Sequence, residues 1–181
     1  MTQASGWCVF PTAIGECAMA WSGASLVAVQ LPESSTEATR ARMRRACPEL
    51  QETAPPAFVV VAMHRVQRLL EGEHDDLADL PLDMRDVPPF HRRVYEIARA
   101  IPPGRVRTYG DIAKEMGEPG ASRAVGQALG ANPFAPVVPC HRILAAGGRS
   151  GGFSAEGGAS TKLRMLEIER ARFGESPGLF D

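Results

Sequence analysis

Apolar positions change period along the chain. Over the first 31 residues they come in short runs. ECAMAW (16–21) and SLVAVQL (25–31) are runs of strand length, joined by Ser22-Gly23-Ala24, and this pattern predicts a hairpin. Residues 33–46 pass from turn formers to helix formers. Pro48, Pro55 and Pro56 interrupt, and AFVVVAMHRVQRLLEG (57–72) then reads as a helix closed by Gly72, with a strand over its leading FVVV as the alternative. The acidic stretch 73–89, ending in Val87-Pro88-Pro89, reads as a linker. Beyond it the period becomes helical. Phe90, Val94, Ile97 and Ile101 share one face, and Pro102-Pro103-Gly104 stops the helix. Thr108, with Asp111 three residues on, predicts a capped second helix carrying Ile112, Ala113 and Met116 and closed by Gly117. ASRAVGQALGA (121–131) predicts a third. Three short helices with tight turns fit a helix-turn-helix, as they fit any small helical bundle. NPFAPVVPCHRIL (132–144) reads as extended because of its prolines, a glycine-rich stretch follows, and a last helix is predicted from about Ser160 to Ala171.

The 181 residues suffice for one ordinary domain or two small ones. No apolar run reaches the length of a membrane span, and MTQASGWCVF does not have the pattern of a secretory signal. Four scattered cysteines, Cys8, Cys17, Cys47 and Cys140, without a C-x-x-C pair, argue against a disulfide framework and a structural zinc site. The expectation is a reduced, cytoplasmic protein. A net charge of −1 argues against nucleic-acid binding until it is divided. Residues 1–87 hold 7 basic and 12 acidic side chains, a balance of −5; residues 88–181 hold 13 and 9, a balance of +4. An acidic half and a basic half suggest two units, 1–87 and 88–181, the second facing a polyanion. A chance fluctuation in surface charge is the plain alternative.

Three features are candidates for chemistry. Cys140 sits between Pro139 and His141, before the glycine-rich stretch. A thiol beside a base is a candidate nucleophile, although cysteines are commonly buried as small hydrophobes. An ordinary thiol titrates near about 8.5 and needs activation. In an extended segment neighbours point to opposite faces, so contact between Cys140 and His141 requires a turn or a bridging water. Cys8, Cys17 and Cys47 read as packing residues. The second feature is Glu169. On a wheel starting at Leu163, Met165 falls at about 200°, Leu166 at about 300° and Glu169 at about 240°, in the middle of the apolar arc. A carboxylate there needs a partner: an arginine in a structural ion pair, or a histidine that it orients. The third is ASRAVGQALGA, small residues with one long basic side chain, Arg123. Small residues permit close approach, either to another helix or to a nucleic-acid groove.

Together these segments resemble the O6-alkylguanine-DNA alkyltransferases, also called methylated-DNA–protein-cysteine methyltransferases. The resemblance rests on PVVPCHRIL (136–144), with its P-C-H-R acceptor motif, and on IPPGRVRTYGDIA (101–113), SRAVGQALGANP (122–133) and GGFSAEGGASTKLRMLEIE (151–169), in the family's order and spacing. It covers roughly residues 88–172. It implies an α+β protein with an N-terminal small sheet with helices, ribonuclease-H-like, and a C-terminal winged-helix-like domain. It implies DNA repair by irreversible, stoichiometric transfer of an alkyl group from guanine O6, and more variably thymine O4, to a cysteine. By motif position Cys140 is the acceptor, His141 its base acting through a water, Glu169 the acid that orients the histidine, and Tyr109 the donor to guanine N3. Arg123 resembles the finger that fills the vacated stack, with Ala124 and Gly126 on the same recognition helix. Asn132 ties that helix to the acceptor segment. Ser154 lies on the loop that closes over the base, and the Ile143 carbonyl accepts from the guanine amino group.

The implied partner is double-stranded DNA carrying O6-alkylguanine, with no membrane, no organic cofactor and no metal. Where some relatives bind zinc near the N-terminus, this chain has Ser22 and Val27. The resemblance also suggests a monomer, cytoplasmic and, in a bacterium, associated with the nucleoid. Inactive relatives replace the acceptor cysteine, typically with tryptophan; here Cys140 is present. The rival readings are a non-catalytic protein that binds alkylated DNA and, more weakly, a cysteine hydrolase.

Overall fold

The computed structural model describes residues 4–146 and 159–172. Strands β1 (Ser5–Thr12), β2 (Gly15–Ser22) and β3 (Ser25–Gln30) form an antiparallel sheet in that order. The predicted hairpin is β2–β3, and β1 adds a strand before it. Both faces of the sheet are covered, which is why its sequence shows runs rather than clean alternation. Trp7, Ala18, Ala20 and Ala28 meet Met43 and Cys47 of helix α1 (Thr36–Ala46) and its C-cap. Cys8, Phe10, Met19, Trp21 and Leu26 meet Val59, Ala62, Val66 and Leu69 of helix α2 (Ala57–Leu69). FVVV is therefore helix: its valines fall on a helix with one face, Val59, Ala62 and Val66, fully buried.

The stretch 73–89 is not a free linker. Leu77 and Leu80 are buried in the core beneath the sheet. The Leu26 amide donates to the Pro81 carbonyl and the Asp83 amide to the Leu26 carbonyl, both at 2.8 Å. Charge density concealed two apolar anchors, and the backbone around them found partners on β3.

Helix α3 (Pro89–Arg99), strand β4 (Arg107–Thr108), helix α4 (Tyr109–Glu115) and helix α5 (Ser122–Gly130) follow. The Thr108–Asp111 capping box forms at both ends. The Asp111 amide donates to Thr108 Oγ1 at 3.0 Å, and the Thr108 amide to Asp111 Oδ2 at 2.9 Å. Such a cap is worth about 1 kcal/mol, which matters for a helix of two turns. Gly117, at φ 77°, closes α4 in the left-handed region, where its amide reaches the Lys114 carbonyl. Val94, Tyr95, Ala98, Ile112, Val125 and Leu129 make a second core between the three helices. A parallel pair, β4 with β5 (Ile143–Leu144), joins this unit to the acceptor segment, and helix α6 (Ala159–Ile168) packs behind it.

Candidate active site

The segment before Cys140 is not extended, as its prolines suggested, but turned. The Val138 amide donates to the Phe134 carbonyl at 3.0 Å and the Cys140 amide to the Val138 carbonyl at 2.9 Å. Ala135-Pro136 is cis. Cys140–Arg142 then form a single 3-10 turn, with the Arg142 amide on the Pro139 carbonyl. The prolines restrict φ and remove donors, and local turns absorb the amides that remain. Successive residues of a turn fan out around its axis. Adjacent Cys140 and His141 therefore need not face opposite ways.

Two ties hold this turn. Asn132 closes the loop in front of it: its Nδ2 donates to the Val138 carbonyl at 2.8 Å, and its Oδ1 accepts from the Phe134 amide at 2.9 Å. Behind it, the pairing of Arg107 with Ile143 and Thr108 with Leu144 sets Tyr109, the next residue, beside the turn. Cys140 is packed in the second core, with half-buried Tyr109 against it.

His141, Arg142 and Glu169 are buried together, at 1%, 1% and 4% exposure. His141 Nε2 lies 2.7 Å from Glu169 Oε1. Arg142 donates from Nη2 to Oε1 at 2.7 Å, from Nε to Oε2 at 3.0 Å, and from Nη1 to the Ile101 carbonyl at 2.8 Å. Both partners considered for Glu169, a histidine and an arginine, are present at once. Glu169 follows the last turn of α6, where its amide bonds the Met165 carbonyl, so its helical-wheel placement holds.

Burial alone would raise the Glu169 carboxyl, but His141 and Arg142 outweigh it, and its pKa falls to about 2. Burial lowers that of His141, against the pull of Glu169 and with the push of Arg142 and Lys162. The resting imidazole is thus neutral around pH 7. An ionised carboxylate only accepts, so the proton sits on Nε2 and the free lone pair on Nδ1. The Cys140 thiol is raised by burial, despite the opposing pull of the Asn132 side chain, the Lys162 charge and the amides of residues 140 and 141. At rest Cys140 is therefore a thiol, and the groups that favour its thiolate are already in place around it.

Lys162 has no counterpart in the sequence reading. It is 1% exposed, donates to the Ile143 carbonyl at 2.7 Å, and places Nζ 5.7 Å from the Tyr109 ring centre. Burial lowers its pKa to about 8. A signal for it existed: on the wheel that singled out Glu169, Lys162 falls at about 260°, in the same apolar arc. Arg142 is the other residue that was missed; a wheel does not apply to a three-residue turn. The Ile143 carbonyl, expected to meet a guanine amino group, has Lys162 as one partner. Tyr109 is raised by burial and by Cys140, so it remains a phenol and a donor near neutral pH.

Arg123 lies exposed on α5, outside the buried cluster. On the same helix Ala124 and Gly126 are half-buried, and a Cβ built on Gly126 would meet nothing within 4 Å. Packing within the chain therefore does not call for glycine there, although a mid-helix glycine costs about 0.5–1 kcal/mol relative to alanine. Ser154 lies outside the described residues. Among the described residues, no group of three or more histidine, cysteine or acidic side chains could hold a metal ion, and no helix is long and apolar enough to cross a membrane.

A family model described as the DNA-binding domain of 6-O-methylguanine DNA methyltransferase matches residues 89–171. The methylated-DNA–protein-cysteine methyltransferase of Mycobacterium tuberculosis is 35% identical over 168 residues, which is 93% of this chain and 94% of the relative. A DNA base-flipping protein of Thermus thermophilus is 41% identical over 132 residues, covering 71% of this chain and 87% of that protein. Among solved structures, the crystal structure of Mycobacterium tuberculosis OGT in complex with DNA superposes with a TM-score of 0.68 at 33% identity, covering 92% of this chain and 94% of that one. The mixed architecture, a small antiparallel sheet with helices, is common to this chain and that structure. With relatives similar along nearly the whole chain and the P-C-H-R turn set against a buried Glu169, this protein belongs to the methylated-DNA–protein-cysteine methyltransferase family.

Proposed function

We propose that this protein repairs DNA by moving an alkyl group from guanine O6, with thymine O4 as a further substrate, onto Cys140, once per molecule. The observation that carries this reading is the buried set of Cys140, neutral His141 and ionised Glu169, within a chain similar over 93% of its length to a methylated-DNA–protein-cysteine methyltransferase. The thiol proton passes to His141 Nδ1 through a water. The sulfur attacks the alkyl carbon in line, an S–C bond forms, and the C–O6 bond breaks. The guanine leaves as an anion, neutralised by donation from Tyr109 to N3, with a Ser154 amide at O6. Donors at the position of developing charge do most for such a step. Lys162 supports the thiolate and holds the Ile143 carbonyl.

The target atom is stacked inside a duplex, so the base must be turned out at a cost of a few kcal/mol. In this reading residues 1–87 form the ribonuclease-H-like unit and 88–181 the winged-helix-like unit. The outer face of α5 enters a groove, Gly126 allows close approach, and Arg123 fills the gap left in the stack. Ala124 lies along the same approach, and Asn132 couples the helix to the acceptor turn. The protein acts as a cytoplasmic monomer on double-stranded DNA.

The base-flipping relative keeps a binding-only reading in view; the base–acid pair beside a retained cysteine favours transfer. Intact mass after incubation with a duplex bearing O6-methylguanine distinguishes them. Transfer adds the mass of one CH2, mapped to the peptide holding Cys140 and absent from Cys140→Ala. Unmodified protein with the lesion recovered from the DNA would refute it, and repeated turnover would indicate a hydrolase.

A further inference from the structure

The Glu169 carboxylate has two claimants. His141 and Arg142 both meet Oε1 at 2.7 Å, and Arg142 takes Oε2 as well, at 3.0 Å. The guanidinium is anchored a second time, on the Ile101 carbonyl, and is 1% exposed. In a simple histidine–carboxylate pair the acid is free to stabilise an imidazolium and so strengthens the base. Here that charge is already matched by a permanent cation.

We propose that Arg142 is a positioning residue that fixes the state of the base: by clamping both oxygens of Glu169, it keeps His141 a neutral imidazole protonated on Nε2. The inference rests on the reading of His141 as the base. Among the described groups that face this cluster, Glu169 favours a charge on His141, while Arg142 and Lys162 oppose it. From the 3-10 turn come Arg142 itself and Cys140. From α6 and the residue after it come Lys162 and Glu169. Tyr109 of α4 and Tyr95 of α3 are phenols on the Cys140 side. Protonating His141 would place a third cation beside Arg142 and Lys162, against one carboxylate. A neutral imidazole avoids this and leaves Nδ1 open for a proton. The base is weak but stays available to lower pH than an ordinary histidine, which half-protonates at about pH 6.5. Arg142 thus sets how far into acid the protein keeps working, without touching DNA or the alkyl group.

The test has two arms. In the unmodified protein, 15N NMR of the His141 ring is followed from pH 8 to pH 5.5. The expected result is neutral imidazole with hydrogen on Nε2 throughout the range above about pH 6.5; hydrogen on Nδ1, or an imidazolium at or above that pH, overturns the proposal. In the second arm, single-turnover transfer is followed against pH for Arg142→Met and Arg142→Lys. Arg142→Met should move the acid limb upward by about one pH unit, a loss of roughly two- to eightfold at pH 6 that largely recovers by pH 8.5. Arg142→Lys, which restores a cation at one oxygen, should bring the limb part of the way back. An equal loss at every pH with an unmoved limb marks a merely structural arginine and overturns the proposal. If Arg142→Met does not fold, Arg142→Lys and the NMR arm still decide. If the unmodified protein transfers nothing, the functional reading fails on its own, and the ring's tautomer is still read directly.

Discussion

Replacing Glu169 by glutamine should damage the fold as well as the chemistry, by an amount the buried cluster allows to be estimated. The change keeps the shape of the side chain and removes its charge. Arg142, 1% exposed, is left without a counter-ion, and the new amide must present its NH2 to at least one of the three donors that the carboxylate oxygens accept. Breaking a buried pair from one side costs about 3–5 kcal/mol. For a chain of this size that corresponds to a fall in Tm of roughly 6–20 °C, at about 2–4 °C per kcal/mol. Thermal melts of Glu169→Gln, Arg142→Met and the double variant provide the measurement. The double variant should be less damaged than the sum of the singles, with a coupling of about 2 kcal/mol or more, because removing both charges relieves the orphan left by either. Affinity for an undamaged duplex should change little, since Glu169 is buried and lies off α5. A Tm for Glu169→Gln within about 2 °C of the parent, or strict additivity in the cycle, would refute the claim that this carboxylate carries the cluster.

Gly126→Ala should raise stability by about 0.5–1 kcal/mol, because its Cβ enters open space on a helix, whereas Gly126→Leu should weaken duplex binding at least several-fold; unchanged binding would show that this face does not meet DNA. Lys162→Met should raise the Cys140 thiol further and slow its reaction with iodoacetamide below about pH 8, where Lys162 is charged. An unmoved rate profile would remove Lys162 from the acceptor's surroundings. Acid should lower the protein's stability over two successive pH ranges. The His141 pKa is lowered in the fold from its usual 6.5, so below that value the unfolded chain binds a proton that the folded chain does not, and stability begins to fall. Glu169, at about 2 in the fold against 4.5, removes more as pH falls from 4.5 toward 2. Urea midpoints that stay level from pH 7 to pH 3 would contradict both.

What the sequence disclosed follows from periodicity. The helices of the second half, the Thr108–Asp111 cap and the buried place of Glu169 all rest on local spacing, and all three occur in the structure. The hairpin was visible because its turn lies between two apolar runs. The acceptor segment was misjudged because proline signals restricted dihedrals without saying whether they extend or fold the chain; amides at 138, 140 and 142 turned it. The stretch 73–89 was misjudged because acidic composition outweighed Leu77 and Leu80. Arg142 and Lys162 escaped for different reasons. Arg142 acquires its role only when residues 101 and 169, far apart in sequence, meet. Lys162 lies in the apolar arc of its helix but reads as a solvated charge until something buries it.

The acceptor turn is fastened to both halves of the molecule. The Val29 amide of β3 donates to the Pro133 carbonyl at 2.9 Å, and Val137 and Met165 sit in the core beneath the N-terminal sheet, while Phe134, Val138 and Cys140 sit in the other. The loop is thus a rivet between two bodies rather than an appendage of one. Its consequence is a lack of modularity. Residues 88–181 excised as a fragment would carry every proposed reactive group and yet expose the underside of the loop that aims them. The two halves should melt in one all-or-none transition, and grafting the basic half onto another scaffold would have to rebuild that floor first.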